Sequence, residues 1–374
     1  MKFTDVNPFN KKIQNKINKA IYKTIKKKDF ILGNNVKKFE NKFSNLSNTK
    51  YAIGCATGTD ALILSLKALN LQKNHEIIIP GMSYISTGLS VLLNNNKIIF
   101  ADIDKDTGLI SLNSIKKKLN KNTKAIIPVN LYGQKVNIKL LRKIVGNKIF
   151  IIEDSAQSHF SYSCYGCSNS LRRVCCKKER NHQYADLSCY SFYPSKNLGA
   201  YGDGGIITTN NKSLHKKILI LRNLGAVKKN YHDYEGLNSR LDTIQASILL
   251  EKINYTNDHN DYRRKISLFY DDNLSDIKQI KLTKSKPGSS RHLYVIRVKN
   301  RKKLVQYLLK NNIPVQFHYP YSLNNSRALR KKIKRTRLIN SENWAKECLS
   351  LPLYPYMPLN QAKRVVNIIK KFYY

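Results

Sequence analysis

The chain opens on a lysine-rich amphipathic stretch and then settles into short apolar runs separated by segments of helical periodicity. Seven runs, at 51–53, 76–79, 97–100, 124–129, 148–152, 187–190 and 205–208, are short and apolar, as strands buried in a parallel sheet are. Helical spacing at 59–69, 84–93, 112–119 and 213–221 supplies the elements that cover such a sheet. The alternation predicts an α/β fold with a mostly parallel seven-stranded sheet, and it places ligand-bearing loops at the strand ends. After about Asn238 the strand rhythm stops. A long helical pattern from 243 to 271 leads into a smaller mixed α/β segment, so the sequence divides into a large domain, 1–242, and a smaller C-terminal one, 243–374. Residues 161–184 follow neither period and are rich in Cys and Arg, the character of an inserted loop.

A length of 374 residues suits two or three domains of roughly 150 residues each. No apolar run approaches the ~20 residues that a membrane helix needs, and residues 1–28 lack the pattern of a secretory signal. The expectation is a soluble, cytoplasmic protein. The 67 Lys and Arg against 24 Asp and Glu give a formal charge of +43, which favours anionic partners. Lys, Asn and Ile are abundant throughout, so compositional bias is the preferred account of the charge. Nucleic acid is not the expected partner, because zinc-finger spacing, an RNP motif and a long basic helix are all missing from the sequence. Four of seven cysteines, Cys164, Cys167, Cys175 and Cys176, fall in the inserted loop. With His182 they offer zinc or iron–sulfur ligands, or they are free thiols of a surface insertion; no metal is assigned.

The candidate chemistry lies at the strand ends. Lys196, within Ser191-Phe-Tyr-Pro-Ser-Lys196-Asn-Leu-Gly, stands between an apolar strand and a glycine-rich turn. A lysine fixed there and partly buried becomes a nucleophile, because burial lowers the pKa of its amine. Glu153-Asp154-Ser-Ala-Gln157 follows the strand at 148–152, so the Asp154 carboxylate can face a cofactor, cap a helix or bind a metal. Gly54-Cys-Ala-Thr-Gly58-Thr59 turns a strand into a helix with free N–H groups, a geometry that binds phosphate. Ser191 can add a hydroxyl to the same phosphate. Tyr84, after Pro80-Gly-Met-Ser, offers a ring to stack on a flat cofactor or to join the core.

Taken in order, Phe30-Ile-Leu-Gly33, Thr57-Gly-Thr-Asp-Ala-Leu62, Glu153–Gln157, Ser191–Gly205, Gly236-Leu-Asn-Ser-Arg-Leu-Asp242 and His318-Tyr-Pro320 resemble the DegT/StrS family of sugar aminotransferases. The resemblance covers nearly the whole chain. It implies a pyridoxal-phosphate aminotransferase of fold type I, a homodimer with shared active sites. It further implies that Lys196 holds the cofactor covalently, Asp154 pairs with the pyridine nitrogen, Gln157 contacts the ring hydroxyl and Tyr84 stacks on the ring. By the same resemblance Gly58, Thr59 and Ser191 cradle the phosphate, Asn238 completes the cradle from the other subunit, and Arg240, His318 and Tyr319 meet the sugar or its diphosphate. Glutamate is the implied donor and a nucleotide-linked keto sugar the acceptor. Asn238-Ser-Arg-Leu-Asp242, Pro128-Val-Asn-Leu-Tyr-Gly133 and Ser350-Leu-Pro-Leu-Tyr-Pro355 look like the branch acting at sugar C-3, nearest to enzymes using UDP-3-keto-N-acetylglucosaminuronate. A C-4 aminotransferase, a dehydratase or regulatory relative on the same fold, and a polyanion-binding protein are the competing readings.

Overall fold

The computed structural model describes residues 1–162, 183–330, 333 and 336–374. The Cys-rich cluster and His182 lie outside the described residues. Seven strands build one sheet: β1 (Tyr51–Cys55), β2 (Glu76–Pro80), β3 (Lys97–Ala101), β4 (Thr123–Ile126), β5 (Phe150–Asp154), β6 (Leu187–Ser191) and β7 (Gly205–Thr209). Their order is β1-β7-β6-β5-β4-β2-β3, and only β7 runs against the rest. The reversal follows from the connection. Residues 192–204 join β6 to β7 without a crossover helix, and a direct return can only give an antiparallel neighbour.

Each expected strand is present, although the run 124–129 is cut short. Pro128 has no N–H to give the ladder, so β4 ends at Ile126 and Val129 rejoins through a single bridge to Asp154. Apolar side chains cover both faces of the sheet, one cluster around Ile53, Leu64 and Ile79 and another around Ile78, Ile126 and Trp344. A third packs the N-terminal helices, through Phe39 and Phe43, against Phe192 and Leu249.

A short hairpin, β8 (Ala226–Lys228) and β9 (Tyr231–His232), follows the large sheet. The single helical pattern expected over 243–271 is two helices, Thr243–Lys252 and Thr256–Leu274, broken by a 3-10 turn at Ile253–Tyr255. The break lets the first helix pack on the N-terminal helices Lys11–Lys27 and Asn34–Ser47. The second turns its apolar side, Ile266, Tyr270 and Leu274, to the small antiparallel sheet β10 (Ile280–Leu282), β11 (Tyr294–Val298) and β12 (Cys348–Leu351). Among the described residues no helix is long and apolar enough to cross a membrane.

Candidate active site

Strands β1, β2, β5 and β6 all end at the same edge of the large sheet, and the chain leaving each contributes to one open cleft of about 480 Å³. Its lining includes Gly58, Thr59, Tyr84, Asp154, Gln157, Ser191, Lys196, His318 and Tyr319. Nine of the eleven site residues expected from sequence therefore meet in one place. The other two do not line the cleft of their own chain. Asn238 is exposed, and Arg240 donates to Asn223 Oδ1 at 3.0 Å.

The turn carrying Lys196 is tightly built. The Lys196 N–H donates to Tyr193 O at 2.8 Å, and Ala200 N–H to Phe192 O at 2.8 Å. A Cβ on Gly199 would lie 2.3 Å from Pro194 O, so the backbone approaches itself too closely for any side chain there. Held in this way, the Lys196 amine is brought down to about 8 by burial, with Asp154 opposing the shift.

Asp154 ends β5 and is buried. Thr87 Oγ1 donates to its Oδ2 at 2.8 Å, and Ala156 N–H to its Oδ1 at 3.2 Å. Burial raises this carboxyl, while those two donors and Lys196 pull it back. Gln157 is fixed at both ends: Tyr132 N–H donates to Oε1 at 2.6 Å, and Nε2 donates to Tyr319 OH at 2.9 Å. Tyr84 stands half exposed, its ring 5.7 Å from that of Tyr319.

Opposite them, the helix Gly58–Ala68 begins at the cleft. Thr57 caps it, accepting from Asp60 N–H at 2.9 Å, and its own hydroxyl proton remains free to donate. Gly58 is required by space, since a Cβ there would come within 2.5 Å of Ser191 Cβ. Thr59 Oγ1 shares a hydrogen bond of 2.7 Å with Ser86 Oγ. The result is a helix N-terminus edged by hydroxyls, a receptor for a phosphate group.

Several residues in or behind the cleft wall escaped the sequence reading. Thr87 fixes Asp154 and is itself bonded to Ser83 at 2.8 Å. Ser239 ties the Asn238 segment to the phosphate turn, donating to Asp60 Oδ2 at 2.7 Å and accepting from Ala56 N–H at 3.1 Å. His292 lines the cleft with Nδ1 at 2.8 Å from Asn197 Oδ1. Asn197 spends its amide protons on Asn260 Oδ1 and Ser290 O. Its oxygen must therefore accept from His292, whose ring burial and nearby Lys196 keep neutral. No sequence signal places His292 here, ninety-six positions beyond Lys196.

An amine that is neutral near pH 8, facing a carboxylate shielded from water, is what covalent chemistry on an aldehyde cofactor requires, and the sheet around it is that of the fold-type I pyridoxal-phosphate enzymes. The class is thereby a pyridoxal-phosphate-dependent transaminase. The chain belongs to the DegT/DnrJ/EryC1/StrS aminotransferase family, whose profile matches residues 11–370. It is 35% identical over its full length, and over 99% of the relative, to the dTDP-3-amino-3,6-dideoxy-alpha-D-galactopyranose transaminase of Aneurinibacillus thermoaerophilus. With the UDP-2-acetamido-2-deoxy-3-oxo-D-glucuronate aminotransferase of Pseudomonas aeruginosa it shares 33% identity over 96% of each chain. The crystal structure of ntda from Bacillus subtilis with bound cofactor PMP superposes with a TM-score of 0.87 at 27% identity, over 97% of this chain and 82% of that one.

Proposed function

We propose that this protein transfers an amino group from glutamate to the C-3 carbonyl of a nucleotide-linked keto sugar, within a homodimer. One observation carries the reading: Lys196, Asp154 and the Gly58 turn, far apart in sequence, converge on one cleft. Pyridoxal phosphate fits this donor set. Its phosphate would take the helix N-terminus with Gly58, Thr59 and Ser191, its pyridine nitrogen Asp154, its ring hydroxyl Gln157 and its ring face Tyr84. When bound, the cofactor supplies an electron sink for the carbon that loses its proton.

The chain's own residues do the rest. Lys196 would hold the cofactor through its Nζ. When not holding the cofactor, its Nζ would take the proton from the substrate carbon and give one back, as base and then as acid. Its lowered pKa suits both duties near neutral pH. Asp154, supported by Thr87, would hold a negative charge against the pyridine nitrogen. His318 and Tyr319 line the cleft and would meet the sugar; the His318 ring is anchored through Nδ1, 2.8 Å from Ser350 Oγ. Asn238 and Arg240 stand outside their own chain's cleft and would serve the partner's. The names of both relatives specify position 3, which supports C-3 over C-4.

Incubation with glutamate and matched 3-keto and 4-keto nucleotide sugars, followed by NMR of the product, tests this. Amine appearing at C-3 is expected; amine only at C-4, or from a donor other than glutamate, overturns the finer reading.

A further inference from the structure

Beside the Lys196 turn lies a second and much smaller cavity of about 20 Å³. Its wall combines Pro194, Lys196 and Asn197 of the turn with Lys252, His259 and Arg263 of the two helices that follow Asp242. Lys252 and Arg263 are both more than nine-tenths buried, as is His259. Among the described residues their bonding is incomplete. Arg263 donates from NH1 to His292 O at 3.4 Å and Leu353 O at 3.1 Å, but its Nε has no partner, and neither has His259 Nε2. The Lys252 ammonium meets only the faces of Phe9 and Tyr201, at 5.4 and 4.7 Å from the ring centres. No carboxylate pairs with it among the described residues.

A buried ammonium and guanidinium with no counter-charge are costly. The one acid on the cavity wall, Asp5, is engaged by Lys2 Nζ and by Asn7 N–H, each at 3.1 Å. Burial accordingly presses the Lys252 amine down to about 8 and His259 to about 4. A neutral His259 keeps one N–H to donate. The space holds one or two water-sized particles, which admits a monatomic anion and excludes sulfate or phosphate. The net charge of +43 concentrates such anions around the protein.

We infer that Lys252, Arg263 and His259 form a binding site for a chloride-sized monovalent anion, seated beside the Lys196 turn. Its occupant offsets the buried positive charge on the cavity wall and links the two helices to the turn. If Lys196 has the role proposed above, the anion also holds that amine protonated to higher pH; binding itself does not depend on that role.

The test uses the full-length, cofactor-loaded protein at constant ionic strength, with gluconate exchanged for chloride or bromide. The wild type is expected to show a saturable rise in Tm of about 2 °C or more, which Lys252→Met loses and sulfate does not reproduce. Non-specific binding to so basic a surface would shift both proteins alike and overturns the proposal. Bromide-soaked wild-type crystals give a second readout that does not depend on the variant folding. An anomalous peak between Lys252 Nζ and the Arg263 guanidinium is expected, and its absence from the cavity also overturns the site.

Discussion

The two sides of strand β5 carry adjacent carboxylates that are used in opposite ways. Glu153 is completely buried and satisfied: Lys135 Nζ lies 3.0 and 3.2 Å from its two oxygens, Ser188 Oγ donates to Oε2 at 2.9 Å, and Asn130 Nδ2 to Oε1 at 3.3 Å. Asp154, on the other side, takes one hydroxyl and one N–H and opens to the cleft. Alternation along a strand separates the two side chains, and partner supply separates their duties. A carboxylate whose bonds are all filled by its own chain holds the fold. One with bonding capacity left over, facing a lysine in a cavity, is available to a cofactor.

Exchanging each acid for its amide breaks the comparison most sharply. Asp154→Asn is expected to lower kcat by about 10²–10³-fold, the scale of losing one placed electrostatic contact in a shielded site, with little change in Tm. Glu153→Gln should do the reverse, costing about 3–5 kcal/mol of stability by stranding Lys135, while the folded fraction keeps its kcat. Denaturant titration and steady-state rates of both variants check this. Equal kinetic losses would erase the distinction between the two sides.

A pH profile sharpens the Asp154 side. The Lys196 amine attacks an aldehyde only when neutral, and its folded-state pKa is lowered from 10.5 to about 8. Below pH 8 the protonated fraction therefore grows with each unit, and the rate of pyridoxal phosphate uptake by cofactor-free protein should fall about tenfold per unit. Stopped-flow absorbance from about pH 6 to about pH 9 covers the transition: the rate is expected to level off above about pH 8, and a rate still rising about tenfold per unit up to about pH 9 would mean that burial does not lower the amine.

Gly58→Ala acts on the far wall. Its Cβ would meet Ser191 Cβ at 2.5 Å, and relieving that overlap should weaken cofactor retention about tenfold, measured by equilibrium dialysis. The smallest effect is Thr87→Val. It removes one hydrogen bond to Asp154 at a cost of about 1 kcal/mol in thermal or denaturant unfolding and leaves the Glu153 side untouched.

Much of this organisation was legible in the sequence because a parallel sheet writes itself as apolar runs. All seven strands of the large sheet, and the glycine turn at Gly58, follow from that pattern. Lys196, Asp154 and Gln157 were legible from strand-end motifs and from family resemblance together. The break at Ile253–Tyr255 was not, because both helices it joins keep apolar residues at helical spacing and only their different packing partners demand a turn. Thr87 and His292 were hidden for a related reason. Each acts through one tertiary contact, to Asp154 and to Asn197, and no local period records such a contact. The small cavity beside the Lys196 turn was likewise invisible in a chain where 67 residues are Lys or Arg and no single one stands out.

The account rests on Lys196, and the absorbance spectrum of the purified protein with pyridoxal phosphate tests it most directly. The wild type should show a band near ~410–430 nm that moves to ~330 nm when glutamate is added, while Lys196→Ala shows neither the band nor the response. A wild-type spectrum without that band, or a variant that responds to glutamate as the wild type does, would contradict the central claim.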